Sequence, residues 1–402
     1  MPIAILYQEK LKEYDFGEGH PFRGDRAEIF PKFLKEKLPE DDNYRMLKSE
    51  WAVDEHSFIS TFASFGSSVT EEDLLLICQK DYIDFTREYF KAANLGRKVK
   101  EDKSSFLPFV ATRVFDGRFF QYHSMDNLPG RNPGKIETAG RIIIGQAKLA
   151  CDLIQKDRFQ KVISLGGGLH HARPSYGEGF CLYNDVAFAA RYLIEKYKLK
   201  RILVLDTDAH CGNGTMEYFY QEPRVLFIDL HQDPRTLYPG TGFVYEIGEG
   251  KGRGFTINVP LPMFAGDDSY QLVFEEIIEP AVKEFKPEII IRNGGSDPHF
   301  ADTLTQLGLT VEGFRMIGEK VRKLSEICDG KVVDLIGSGY NKKVLPYGWL
   351  ALISGLTGID IKLKEPIPIP SQFKKDLVLE KTKEVIKEVK RNLKNYWKCF
   401  RI

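Results

Sequence analysis

The stretch Asp206-Thr207-Asp208-Ala209-His210 sets two carboxylates and an imidazole at alternate positions. On an extended strand end, alternate side chains point the same way, so all three can face one pocket. An Asp-x-His pair offers oxygen and nitrogen donors, a set that suits zinc or another borderline divalent ion. Taken alone, the same residues also fit a helix-capping aspartate beside a surface histidine. A catalytic zinc site takes three protein ligands and keeps a fourth position for water. Asp297, which follows Gly294-Gly295-Ser296, is the candidate third ligand; in isolation it reads as an N-cap or turn residue. Gly166-Gly167-Gly168-Leu169-His170-His171 brings two imidazoles together. Adjacent histidines can ligate metal, but with a ligand set offered elsewhere they are free for proton transfer, which suits imidazole near neutral pH. Tyr340, after Gly337-Ser338-Gly339, carries a hydroxyl that can donate to a forming oxyanion, although a buried structural tyrosine has the same local sequence. Gly179 and Phe180 fit the wall of a narrow apolar passage, or equally a turn followed by a core phenylalanine.

These residues need elements to carry them. Short, mostly apolar runs read as strands: Leu74–Cys78, Lys161–Leu165, Arg201–Asp206, Val225–Leu230, Glu288–Arg292 and Lys331–Ile336. Between them lie helical patterns at Ala139–Gln155, Val186–Lys198, Asp268–Phe285 and Val311–Glu326. That alternation predicts an α/β fold, an open and mostly parallel sheet with helices on both faces. Such sheets bind ligands beyond the carboxyl ends of their strands. Four of the predicted strands end at the chemistry: at His170-His171, at Asp206–His210, at Asp297 and at Tyr340. Residues 96–138 mix Lys, Gly, Phe and Pro without a period and read as a long loop or insertion near the site edge. The tail from about Ser371 to Arg401 reads as a Lys/Glu-rich helix that docks through Leu377, Val385, Ile386, Val389, Leu393 and Trp397. The expected organisation is a domain over 1–370 with a helical extension over 371–402.

Lys+Arg and Asp+Glu each number 57, and this balance gives no support to a dedicated nucleic-acid binder. No apolar run approaches the roughly 20 residues of a membrane span, and the first residues do not form a secretory signal. Six scattered cysteines without a CxxC pair match reduced thiols in a cytoplasmic protein.

Taken together the motifs resemble the histone deacetylases. Gly166-Gly167-Gly168-Leu169-His170-His171-Ala172, Gly179-Phe180-Cys181-x-Tyr183-Asn184-Asp185, Asp206-x-Asp208-x-His210-x-Gly212-Asn213-Gly214, Tyr238-Pro239-Gly240-Thr241-Gly242 and Gly339-Tyr340 occur in that family's order. Gly19-His20-Pro21-Phe22-x-x-x-Arg26 is similar to its opening, and Asp297-Pro298-His299 with Asp302-Thr303-Leu304-Thr305 resembles the prokaryotic acetoin-utilisation deacetylases. The resemblance covers roughly residues 1–360, and the combined motifs are specific. It implies an arginase/deacetylase-like fold and a zinc-dependent amidohydrolase that removes an acetyl or short acyl group from acetyl-lysine or a similar acylated amine. Asp208, His210 and Asp297 would hold zinc. His171 would act as general base and then protonate the leaving amine, with His170, paired to Asp206, orienting water. Tyr340 would donate to the oxyanion, Gly179 and Phe180 would wall the tunnel, and Asp126 would meet the substrate backbone at the rim. A potassium ion would sit near Asp206, Asp208 and His210, with Asp229 and Leu230 close by.

The chain departs from the pattern at three places. Cys211 stands where many relatives have a second histidine, and Asn213 replaces an aspartate that in some branches partners the general base. A neutral partner stabilises imidazolium less, so His171 should more readily be neutral at pH 7. The segment 96–138 bears on the tunnel mouth. A two-manganese ureohydrolase needs further carboxylates where this chain has Asn213 and His299, and a non-catalytic acyl-amine binder does not need the complete set. Protein acetyl-lysine and acetylated polyamines share the slim amide-bearing stem that the motifs accept, so the substrate stays open, as does oligomeric state.

Overall fold

The structure, a computed structural model, describes residues 3–38, 44–48, 69–99 and 117–401. Eight strands form one sheet: β1 Ile3–Tyr7, β2 Tyr44–Lys48, β3 Lys161–Leu165, β4 Ile202–Asp206, β5 Val225–Gln232, β6 Thr256–Leu261, β7 Ile289–Gly294 and β8 Val332–Ile336. Their order is β2-β1-β3-β8-β7-β4-β5-β6, and every neighbouring pair is parallel. Every residue of β4 to β8 is buried, as continuous apolar runs covered on both faces require. The chain begins at β1, sets β2 beside it at one edge, and returns to β3 on the other side of β1. From β4 it runs to the other edge through β5 and β6, and β7 and β8 fill the gap. The four central strands thus converge at the point where the winding reverses, the place where such sheets bind ligands.

Five of the six expected strands lie where the apolar runs placed them. Leu74–Cys78 does not form one. Thr70 caps a short helix there: its Oγ1 accepts the Asp73 N–H at 3.1 Å, and the Asp73 carboxylate accepts the Thr70 N–H at 3.0 Å. This capping box and the acidic first turn Glu71-Glu72-Asp73 commit the segment to helix Glu71–Leu74 before the leucine run begins. Strand β6 carries Asn258 and Pro260, which hide its pattern; it lies at the sheet edge, where proline is tolerated.

The expected helices appear as Ile136–Gln155, Asp185–Tyr197 and Val311–Ser325. The fourth is one continuous rod made of Asp267–Val273, a π segment Phe274–Ile278 and Glu279–Phe285. Helix Leu345–Thr357 has no polar face to betray its period, because it is packed against Val311–Ser325. A Cβ on Gly318 would lie 2.3 Å from the Leu352 carbonyl oxygen, so these two helices meet backbone to backbone.

Part of 96–138, residues 100–116, lies outside the described residues. The remainder is more regular than a loop. It holds the end of helix Lys80–Val99, the short helix Phe119–Tyr122, a 3-10 turn Met125–Asn127 and the start of Ile136–Gln155. In the tail, helix Leu379–Leu393 buries Ile386, Val389 and Leu393, whereas Leu377 is exposed. Trp397 beyond it is buried against Phe255 and Phe285, and its Nε1 donates to the Gly254 carbonyl at 2.7 Å. Among the described residues no helix is long and apolar enough to cross a membrane.

Candidate active site

The carboxyl ends of β3, β4, β7 and β8 deliver His170, His171, Asp206, Asp208, His210, Asp297 and Tyr340 to one region. A small cavity of about 20 Å³ opens there, lined by Gly168, Leu169, His170, His171, Gly179, Asp208, His210 and Tyr340 among others. His210 Nδ1 lies 3.1 Å from Asp208 Oδ1 and 3.1 Å from Asp297 Oδ2. Asp297 is further fixed by the Ser338 hydroxyl, which donates to its Oδ1 at 2.7 Å, and by Thr305, which bonds its backbone carbonyl.

Two carboxylates converging on one imidazole nitrogen form an unbalanced buried group. Burial and the charge of Asp208 push the Asp297 carboxyl up, while His170 and His210 overcome burial to hold Asp208 ionised. Burial opposes a charge on His210, but hydrogen bonds to Asp208 and Asp297 prevail and push it up to about 10. With the protein's own atoms alone, a proton must occupy the place between these donors. A divalent cation there would let both carboxylates ionise and take the imidazole as a neutral ligand. The oxygen, nitrogen, oxygen set therefore fits zinc.

Beside this cluster, the hydrogen bonds of the histidine pair run in one direction. Asp206 Oδ2 accepts from His170 Nδ1 at 2.8 Å, and His170 Nε2 lies 3.1 Å from His171 Nε2. His171 Nδ1 lies 2.7 Å from Asn213 Oδ1, an acceptor, so this nitrogen carries a proton, and in the neutral ring Nε2 keeps its lone pair. The electrostatics agree. Burial works against charge on His170, but Asp206 and Asp208 push it up to about 9; burial, then the charges of His170 and His210, hold His171 well below the usual imidazole range. Burial, rather than Asn213, is the main influence that favours a neutral His171.

Tyr340 faces the same cavity, its ring 6.4 Å from that of His210 and 6.1 Å from that of Phe180. Burial and the charges of Asp297 and Asp208 raise its phenol well above the ordinary tyrosine value, so it stays a donor. Its backbone N–H donates to Asp302 Oδ2 at 2.8 Å. Gly179 and Phe180 both take positive φ, 59° and 66°. A Cβ at Gly179 would lie 2.2 Å from His171 Cδ2, so glycine is what lets the backbone pass the imidazole. Phe180 is packed among Phe16, His20 and Phe22, and its carbonyl accepts the Tyr14 hydroxyl at 2.7 Å. Asp126 stands beside Gly179: its Oδ2 accepts the Gly179 N–H at 3.0 Å and its Oδ1 the Ser124 hydroxyl.

Several residues of the site were not predicted. Asn293, on β7 directly opposite Asp206 on β4, donates to both Asp206 oxygens at 3.0 Å. Asp185 accepts the N–H groups of Gly168 and Leu169 and holds the glycine turn before His170. Glu178 accepts from Asn213, Arg173 and Tyr238. A single sequence marks these only as polar residues next to a motif. A second group, Cys211, Asp229 and His231, is also compact enough to suggest a metal. Its donors are engaged. His231 bonds Asp229 at 2.8 Å and the Gly242 carbonyl at 2.9 Å, and Asp229 Oδ2 takes the Gly212 N–H at 2.8 Å. Leu230, named with Asp229 for potassium, is buried in β5. His299 bonds Glu365 at 2.8 Å, which engages it outside the cluster of Asp208, His210 and Asp297.

The profile of the histone deacetylase domain matches residues 20–356. The chain belongs to the histone deacetylase family. A "Probable deacetylase" of Archaeoglobus fulgidus is 45% identical to it over 410 residues, 100% of both chains. The "Acetoin utilization protein AcuC" of Staphylococcus aureus strain MRSA252 is 33% identical over 86% of this chain and 79% of its own. The AcuC of Staphylococcus xylosus is 34% identical over 88% and 82%. Membership of the histone deacetylase family, with these relatives, makes the chain a deacetylase, an amide hydrolase.

Proposed function

We propose that this deacetylase is zinc-dependent and removes an acetyl or short acyl group from acetyl-lysine or a similar acylated amine. One observation carries the reading: an oxygen, nitrogen, oxygen donor set meets at the cavity lined by Asp208 and His210, beside an imidazole whose Nδ1 is held by Asn213 Oδ1. Zinc held by Asp208, His210 and Asp297 would polarise the amide carbonyl and make water acidic enough to attack near neutral pH. The protein's own groups divide the remaining work. His171 Nε2 takes the proton of the attacking water and returns it to the leaving amine. His170, kept cationic by Asp206, orients that water and offsets negative charge as it develops. The Tyr340 hydroxyl donates to the oxygen of the former carbonyl. Gly179 and Phe180 wall the passage for the aliphatic stem, and Asp126, beside Gly179, would accept a hydrogen bond from the substrate backbone at the rim. Potassium in this neighbourhood is carried by the resemblance alone, a cytoplasmic location by the scattered cysteines, and the division between a domain over 1–370 and an extension over 371–402 by the helical pattern of the tail.

The test is acetate release from a fluorogenic acetyl-lysine peptide and from N-acetylated polyamines, with and without added zinc. Metal-dependent turnover that collapses in both His171→Ala and Tyr340→Phe is the expected result, and the better substrate identifies the protein or small-molecule role. No turnover on either class with stoichiometric zinc bound would favour a non-catalytic acyl-amine binder.

A further inference from the structure

The His171 ring is held by a neutral amide, and an amide can turn. Asn213 presents Oδ1 to His171 Nδ1 at 2.7 Å; with the amide reversed, two N–H donors would face each other or the imidazole would have to change tautomer. The other end of the amide decides the matter. Asn213 Nδ2 lies 2.9 Å from Glu178 Oε1, and a carboxylate only accepts. Glu178 is itself fixed on three sides. Arg173 Nε donates to its Oε1 at 2.5 Å, and the Tyr238 hydroxyl donates to its Oε2 at 3.1 Å. Arg173 is in turn anchored by Glu217 at 2.9 Å. The Tyr238 ring meets the His171 ring edge-on, with centroids 5.1 Å apart.

We infer that Glu178 is a positioning residue for the reaction: through Asn213 it locks His171 into the tautomer with the proton on Nδ1 and the lone pair on Nε2. The chain of bonds then has acceptor-only groups at both ends, Asp206 and Glu178. From Asp206 the protons lie on His170 Nδ1, His170 Nε2, His171 Nδ1 and Asn213 Nδ2 in turn, which satisfies these four contacts with His171 neutral. A carboxylate one residue removed thus fixes the ring's orientation, as a directly bonded one would, without placing a negative charge against His171. The inference specifies the site proposed above and rests on that reading for its catalytic meaning, though not for its geometry.

Two measurements test it. The first is the ring-nitrogen NMR spectrum of the eight histidines in the protein as isolated, with His171 assigned by the His171→Asn variant. The expected spectrum has His171 protonated at Nδ1 in the wild type and in Glu178→Gln, whose side-chain oxygen still accepts. In Glu178→Ala the tautomers should mix. A wild type protonated at Nε2, or a Glu178→Ala protein with an unchanged His171 pattern, overturns the inference. The second is kinetic. Asn213→Asp sets a carboxylate against Glu178 and should lower kcat by roughly tenfold or more with KM little changed, because like charges in contact disfavour the bonded geometry. Adding Glu178→Gln restores one amide and one carboxylate and should recover most of that loss. A double variant less active than Asn213→Asp alone contradicts the proposal. Should the wild type show no turnover, the tautomer still decides, so failure of the deacetylase reading and failure of this one remain distinct.

Discussion

At the scale of single residues, Tyr340 has one polar atom for one task. Burial and the nearby carboxylates keep its hydroxyl protonated, so its contribution is a hydrogen bond rather than a charge. Tyr340→Phe should therefore lower kcat by about 10²–10³ with KM nearly unchanged, the range seen when one oxyanion donor is removed. Steady-state kinetics with the preferred substrate measures this directly. Asp208, His210, Asp297, the two histidines and Tyr340 were legible in the sequence because each follows a strand, mostly with glycine beside it. Asn293 and Glu178 were not. Asn293 reaches Asp206 only because β7 pairs with β4 in that register, and Glu178 meets Asn213, 35 positions away, beyond an intervening helix and strand. A pattern along the chain has no access to either contact.

The segments that frame the cavity depend on a buried imidazole outside it. His123 follows the short helix Phe119–Tyr122 and lies among Tyr82, Phe85, Phe90 and Phe119. It bonds the Thr86 hydroxyl at 2.9 Å, and burial pulls it down to about 3. Because the folded value lies below the unfolded one of about 6.5, the folded state binds this proton more weakly than the unfolded chain does. Its contribution to stability is complete above pH 6.5 and is lost as pH falls toward about 3. At one pK unit per 1.36 kcal/mol, the full effect is on the order of 5 kcal/mol. His123→Gln should therefore show a smaller drop in Tm between pH 7 and pH 4.5 than the wild type, as followed by thermal denaturation at both pH values. The same residue joins the rim to the passage: the backbone on either side of it bonds Gly177, next to Glu178. At this scale the sequence was legible wherever period and burial agreed, as in Val311–Ser325. It misled at Leu74–Cys78, where capping chemistry overrode an apolar run. It was silent at Leu345–Thr357, where complete burial erased the period.

For the molecule as a whole, the metal cluster and the tail should show up in stability. A ligand that binds only the folded state adds about 4 kcal/mol at a thousandfold excess over its Kd. Zinc should therefore raise Tm in the wild type and fail to do so in Asp208→Ala, as read by differential scanning calorimetry. The tail is fastened through a large aromatic side chain, and Trp397→Ala should cost about 3–5 kcal/mol of stability in a denaturant titration. The strand order also bears on how the protein comes into being. β8 is the last strand to be synthesised, yet it lies between β3 and β7. Until residue 336 has left the ribosome, β3 and β7 each keep an apolar side without a neighbour, and His170 and Asp297 have no fixed relation. A nascent chain that stops short of that point carries all the proposed metal ligands without a working site, and it exposes two strand edges prone to wrong pairing. Activity should appear during synthesis only after the sheet is complete and Tyr340 has followed β8 out of the ribosome.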